Sequence, residues 1–195
     1  YEDRAGFLWI ATSGVGIDRF DPATSAFAHF RNYPHDPESL SSNTISDVLE
    51  DRQGRLWVAT WGNGLNLLDR ATGIAAHYHE GDGLLSNKIQ GMIAEVDADG
   101  NTILWLSTSQ GLSRFDPQTG QFTNFDEADG LFASGFGLRS FHQGASGRIY
   151  LGGAEGLISF LPADIRIDLF DPPVVLTRLS VNNESPVIAA GGVLS

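Results

Sequence analysis

Ligand chemistry in this sequence rests first on Trp61. The indole follows the run Leu56-Trp57-Val58-Ala59-Thr60 and precedes Gly62-Asn63-Gly64. That places it in a loop at the end of a strand, where an aromatic face can stack on a sugar ring with the Asn63 amide as hydrogen-bonding neighbour. Packing between structural elements is the competing use of the same side chain. Ser13, Gln110 and Glu155 hold the corresponding loop positions elsewhere in the chain, and their variation suits residues that read a ligand as well as unconstrained loops. His77 and His79 point to one side of a strand, as a metal pair would, but no third ligand accompanies them. Asp97-Ala98-Asp99-Gly100-Asn101 starts like a calcium loop yet lacks the later bidentate glutamate, so it reads as a hairpin turn. Glu2-Asp3 and Glu50-Asp51 are paired carboxylates; their recurrence marks them as turn or locking groups rather than an acid–base couple. With no G-x-S-x-G, H-E-x-x-H or phosphate loop, no catalytic residue, metal or cofactor is expected.

A repeat positions these residues. The block from Leu56 to Thr60, followed by Gly62 to Asp69, has an upstream copy in Leu8 to Thr12 with Gly16 to Pro22, and a downstream copy in Leu104 to Thr108 with Gly111 to Pro117. Trp9, Trp57 and Trp105 are spaced 48 residues apart. A worn fourth copy, Ile149-Tyr150-Leu151-Gly152-Gly153, places Tyr150 45 residues after Trp105. Self-similarity at roughly 40–50 residues, with strand rather than helix periodicity, points to the blades of a β-propeller. The three tryptophans, each between two aliphatics on a strand, read as core, and the strand from Phe7 to Thr12 as buried on both faces.

Taken in order, the repeats fall near residues 1–44, 45–88, 89–134 and 135–168. Tyr1-Glu2-Asp3-Arg4 corresponds to Leu49-Glu50-Asp51-Arg52 but lacks the preceding strand Ile45-Ser46-Asp47-Val48, so the first blade is incomplete. Asp21-Pro22-Ala23-Thr24, Arg70-Ala71-Thr72-Gly73 and Asp116-Pro117-Gln118-Thr119-Gly120 are tight turns. The pattern ends at Pro162, a boundary is expected near Ile167 to Pro172, and Val174 to Val181 reads as one strand. Residues 169–195 are then a linker and the truncated start of another domain.

Together, E-D-R-x-G-x-L-W-x-A-T, G-(N)-G-L-x-x-x-D, D-P-x-T-G and S-L-S-x-N-x-I resemble the two-component-regulator propeller repeat, in three copies in register. The resemblance implies the periplasmic sensor region of a hybrid histidine kinase, or of a related receptor with a diguanylate-cyclase output. It also implies that Pro172-Pro173-Val174-Val175-Leu176-Thr177 opens the β-sandwich that joins such propellers to a membrane helix. Alanine or serine at 11, 59 and 107 departs from the glycine expected in the W-x-G-T block.

The totals agree with an all-β receptor segment. Of 195 residues 42% are hydrophobic, enough for a core, and 23 glycines suit a strand-and-turn protein. A net charge of −12 disfavours nucleic acid, and no run approaches the ~18 apolar residues of a membrane span, so contact with a membrane would come only through parent segments outside this chain. With no cysteine, a disulfide framework is excluded. The expected protein is therefore a β-propeller of about four four-stranded blades, the first incomplete, plus the first strand of a β-sandwich. It would act as an extracytoplasmic sensor, not an enzyme, for an oligosaccharide or another small extracellular ligand. Unpaired strand edges would favour self-association into a dimer. A protein-interaction scaffold is the alternative, and a polysaccharide lyase, which would need acid, base or metal groups converging on the axis, ranks below it.

Overall fold

The computed structural model describes residues 1–97, 99–131 and 135–165. All belong to a unit spanning Tyr1–Ile165; a second unit comprises Arg166–Ser195. The expected boundary near 167–172 and the sandwich strand at 174–181 lie outside the described residues.

Among the described residues, four antiparallel sheets follow one another along the chain. The first holds β1 (Leu8–Ala11), β2 (Ile17–Asp21) and β3 (Ala26–Phe30). The second holds β4 (Ile45–Glu50), β5 (Leu56–Thr60), β6 (Leu65–Leu68) and β7 (Ala75–Tyr78). The third holds β8 (Ile89–Val96), β9 (Thr102–Thr108), β10 (Leu112–Asp116) and β11 (Gln121–Phe125). The fourth holds β12 (Phe141–Gln143), β13 (Ile149–Gly153) and β14 (Gly156–Phe160). Each sheet is a meander, as tight turns between short strands dictate, and the whole is an all-β propeller segment of four blades whose first lacks its opening strand. The worn fourth repeat forms three strands among the described residues.

The blades stack because no single sheet can cover its own faces. Trp9 and Ile17 of the first blade share a core with Leu40 of the connecting loop and Ile45, Val48, Leu56, Val58 and Leu68 of the second. Trp57 and Leu65 repeat the arrangement against Ile89, Met92, Leu104, Leu106 and Phe115. Trp105 and Leu112 repeat it against Phe136, Ile149 and Leu151. The strand-to-strand alternation of side chains thus sends each tryptophan towards the next blade and its aliphatic neighbours towards the preceding one. This corrects the expectation that β1 is buried on both faces. Trp9 is buried, but Leu8 and Ile10 are exposed, whereas their equivalents Leu56 and Val58 are fully covered by the first blade. Among the described residues no blade precedes β1 to cover that face.

A buried indole N–H needs an acceptor. Trp9 Nε1 donates to Asp3 Oδ2 and Trp57 Nε1 to Asp51 Oδ2, each at 2.8 Å, from the E-D-R turn of the same blade. The third blade departs: its hairpin pairs Glu95 with Ile103 and Val96 with Thr102, so the tryptophan falls eight rather than six residues after the turn aspartate. Glu95 then takes the indole at 2.6 Å, while Asp97 is left to cap the amides of Asp99 and Asn101.

The seams between blades repeat as well. The Asn43 carbonyl accepts from the amides of Gly14 and Gly16, and the Asn87 carbonyl from those of Gly62 and Gly64. Thr12, Thr60 and Thr108 hydroxyls donate to the carbonyls of Gly16, Gly64 and Gly111. These three glycines have φ of +80°, +75° and +144°, and a Cβ on any of them would lie 2.1–2.3 Å from a carbonyl oxygen of the blade's last strand or its end. An ionic clasp completes the first seam. Arg70 donates to Asp3 at 3.1 Å and to Glu50 at 2.7 Å, and the Arg4 amide bonds Glu50 at 2.8 Å. Burial opposes ionisation of both carboxyls. For Asp3 the Trp9 indole and the amides of Phe7 and Ala5, and for Glu50 the Arg4 amide and the Arg70 side chain, nevertheless hold the pKa below the ordinary value.

Two outcomes follow. Gly64→Ala should destabilise by about 1–3 kcal/mol more than Gly54→Ala in chemical denaturation, because both pay for positive φ but only Gly64 meets a backbone carbonyl; equal effects would refute the steric argument. Because the folded pKa values of Asp3 and Glu50 are depressed, their contribution is complete above the unfolded values of 3.8 and 4.5 and is lost as pH falls through the folded ones. Arg70→Ala should therefore cost about 1–3 kcal/mol at pH 7, and that difference should shrink in melts run towards pH 3.

Candidate inner-rim binding site

The first strands of successive blades, β4, β8 and β12, approach one another at the inner side of the unit, and their backbones are stitched by polar contacts. Asp47 Oδ2 accepts from the Met92 amide at 2.8 Å, and the Arg139 amide donates to the Gln90 carbonyl at 3.2 Å. Both β4 and β8 carry a bulge at the same place: pairing skips Ser46 in one and Gln90 in the other. A bulge leaves its extra residue unpaired and re-aims the side chain. Ser46 and Gln90 are buried, yet Ser46 Oγ and Gln90 Oε1 have no hydrogen-bond partner among the described residues.

A cavity of about 340 Å³ opens here. Ser13, Thr44, Ser46, Trp61, Leu138 and Arg139 are among its walls, contributed by the first, second and fourth blades. Trp61 is 37% exposed, against at most 2% for the other tryptophans. Its amide donates to the Thr44 carbonyl at 3.0 Å, which fixes the loop, and the Lys88 ammonium sits 4.2 Å from the centroid of one of its rings. Lys88 is the single lysine of the chain. Arg139 adopts φ of +55°, a left-handed conformation that costs a non-glycine residue and concentrates at binding sites. No carboxylate forms a salt bridge with it among the described residues; Asp47 acts on it only through space. Burial pushes the Asp47 carboxyl above its ordinary range in spite of the amides of Met92 and Val48 and the Arg139 charge. A second cavity of about 480 Å³ shares Ala11 and Arg139 and includes Asp47 and Phe141.

Of the residues singled out by sequence, the fold brings Ser13 and Trp61 into one wall. Asn63, Gln110 and Glu155 line neither cavity. Asn63 sits at a loop tip whose flanking glycines bond Asn87; Gln110 belongs to a loop one residue shorter; Glu155 caps a two-residue hairpin closed by Gly153 and Gly156. Arg139, Ser46 and Lys88 were not found by sequence reasoning; only the solitary lysine carried a signal, and none pointed to the other two. His77 bonds the Ser39 carbonyl at 2.7 Å and His79 pairs with Asp82, so the two imidazoles serve different loops. No group of three metal-ligating side chains occurs among the described residues. A larger hollow of about 560 Å³ on the second blade is walled by Leu56, Leu67, Leu68 and Ile74; its arginines, Arg55 and Arg70, are committed to Asp51 and to Asp3 and Glu50.

Fold and site together define a β-propeller segment with a ligand-sized cavity at the inner rim. Residues 39–62 match the profile of the two component regulator propeller family. The extracellular domain described as that of the hybrid two component system BT3049 of B. thetaiotaomicron superposes with a TM-score of 0.65 at 27% identity, over 79% of this chain and 20% of that one. The corresponding domain of BT4673 from the same organism gives 0.69 at 26% identity, over 84% of this chain and 22% of that one. A curated relative, histidine kinase P4 of Formosa agariphila, is 35% identical over 82 residues, 42% of this chain and 6% of the kinase. The chain thus spans about a fifth of the length of its structural neighbours. Among the described residues no helix is long and apolar enough to cross a membrane.

The site geometry makes Trp61 the only one of four tryptophans open to solvent collisions. One quenchable component is expected, lost in Trp61→Phe, and iodide should quench it more strongly than caesium because Lys88 and Arg139 make the rim positive. Equal quenching by the two ions would contradict that field.

Proposed function

We propose that this chain is the ligand-sensing part of an extracytoplasmic two-component receptor, and that the inner-rim cavity receives an oligosaccharide or another small extracellular molecule. The observation that carries the reading is the cavity itself: an aromatic side chain, hydroxyls and a guanidinium from three blades converge on about 340 Å³ in a segment similar over most of its length to extracellular domains of hybrid two component systems. The segment performs no chemistry; it binds.

Binding would act on blade arrangement. A ligand touching Ser13, Trp61 and Arg139 ties the first, second and fourth blades together, and it favours whichever arrangement it fits better by the difference in affinity and no more. That shift is what a following domain would pass to a kinase or similar output, with receptors pairing as dimers. The test is a thermal-shift screen of the full-length protein against an oligosaccharide library, with Trp61→Ala alongside. A rise in melting temperature with particular saccharides, reduced or absent in the variant, is expected. A binder whose shift is identical in the variant would remove this cavity from the reading, and no binder in a broad library would remove the sugar.

A further inference from the structure

Resting on the sensor reading, we infer that the inner-rim cavity selects for a negatively charged sugar, one bearing a carboxylate such as a hexuronate residue. Two features at the cavity favour an anion over a neutral saccharide, and a third, Ser46, offers a polar contact to either. The first is Arg139. In a chain of net charge −12, Arg31, Arg55 and Arg70 are held by carboxylates, the first by Asp18, the second by Asp51 and the third by Asp3 and Glu50, while Arg4 and Arg19 bond backbone carbonyls. What sets Arg139 apart is its place: it is a wall residue of the cavity, in no salt bridge among the described residues, on a backbone of φ +55° whose amide bonds the Gln90 carbonyl. A planar fork kept in that way matches the two oxygens of a carboxylate.

The second feature adjoins the cavity through Trp61: the Lys88 ammonium lies 4.2 Å from the centroid of one of the indole's rings and adds a positive charge over that ring. The third is Ser46. It is a wall residue on a bulge, 5% exposed, and its hydroxyl, shut off from solvent behind that wall, has no partner among the described residues. A buried hydroxyl left unbonded is unfavourable, and a ligand oxygen reaching it relieves that cost. The occupant is then defined by its groups. A carboxylate meets Arg139, the apolar ring carbons meet Trp61, and a ring hydroxyl meets Ser46, with Ser13 and Thr44 at the same wall. Asp47, a wall residue of the adjoining cavity, is the carboxyl that feels the Arg139 charge there, and its burial disfavours its own ionised form.

Isothermal titration of the full-length protein with digalacturonate and with the neutral digalactose tests this. Digalacturonate should bind at least tenfold more tightly at low salt, with the preference shrinking as ionic strength rises. Arg139→Gln should cut its affinity roughly 10- to 100-fold while leaving any binding of the neutral disaccharide unchanged, and Arg139→Lys should restore only part of it. Ser46→Ala should lower affinity about 2- to 10-fold without lowering the melting temperature, since no internal bond is lost. A neutral disaccharide that binds as well as the acidic one, in a Trp61-dependent manner, would overturn the charge selectivity and leave the sensor reading standing. Absence of binding by either would overturn the selectivity inference; the broad library screen then decides the sensor reading separately. Digalacturonate binding that survives Arg139→Gln unchanged would place the anion elsewhere and refute the site.

Discussion

Everything in this fold depends on an indole buried between two sheets. Trp9, Trp57 and Trp105 leave their own blades and fill the core against the next, and each must have its N–H accepted by a carboxylate of its own blade. The bond, strengthened by the charge on the acceptor and by exclusion of water, locks the turn between the first two strands to the ring that makes the inter-blade contact. A blade without it would have a free turn and a loosely held wedge. The third blade shows the strength of the constraint: when its hairpin lengthens, Glu95 from the strand replaces the turn aspartate and the bond survives.

That packing rule explains how the inner-rim cavity can form. Since blades meet through the tryptophan face and through glycine amides that bond an asparagine carbonyl, the loops between the second and third strands are held against the start of the next blade. Loop residues and bulged inner strands then face one another across the inner side. The bulges at Ser46 and Gln90 sacrifice regular pairing there; one sets Ser46 in the cavity wall, and the other presents the carbonyl that the Arg139 amide bonds. Structural regularity at the outer strands and irregularity at the inner ones go together, a scaffold that is regular where blades stack and irregular where the cavity opens.

Much of this architecture was legible without coordinates. The 48-residue spacing of the tryptophans, the G-x-G loops and the D-P-x-T-G turns identify blades, strands and their order, because strand alternation and turn chemistry are local properties. The role of the recurring E-D-R carboxylates as locking groups was legible too, from recurrence alone. Trp61 could be marked as exceptional because it stands outside the strand pattern, and the fold does set it in a cavity wall.

Tertiary structure alone decided the rest. Whether Leu8 and Ile10 are covered depends on a neighbouring sheet, not on their own alternation, and a strand with the same sequence pattern is buried in the second blade and open in the first. The exchange of Asp97 for Glu95 follows from hairpin register, which two inserted residues shift without changing the turn motif. The meeting of Ser13, Ser46, Trp61 and Arg139 joins positions up to 126 residues apart, through blade stacking that no local spacing encodes. Sequence determined the repeating unit because each repeat is shaped by its near neighbours. The site arose only in three dimensions because its parts come from different repeats, brought together by packing between blades.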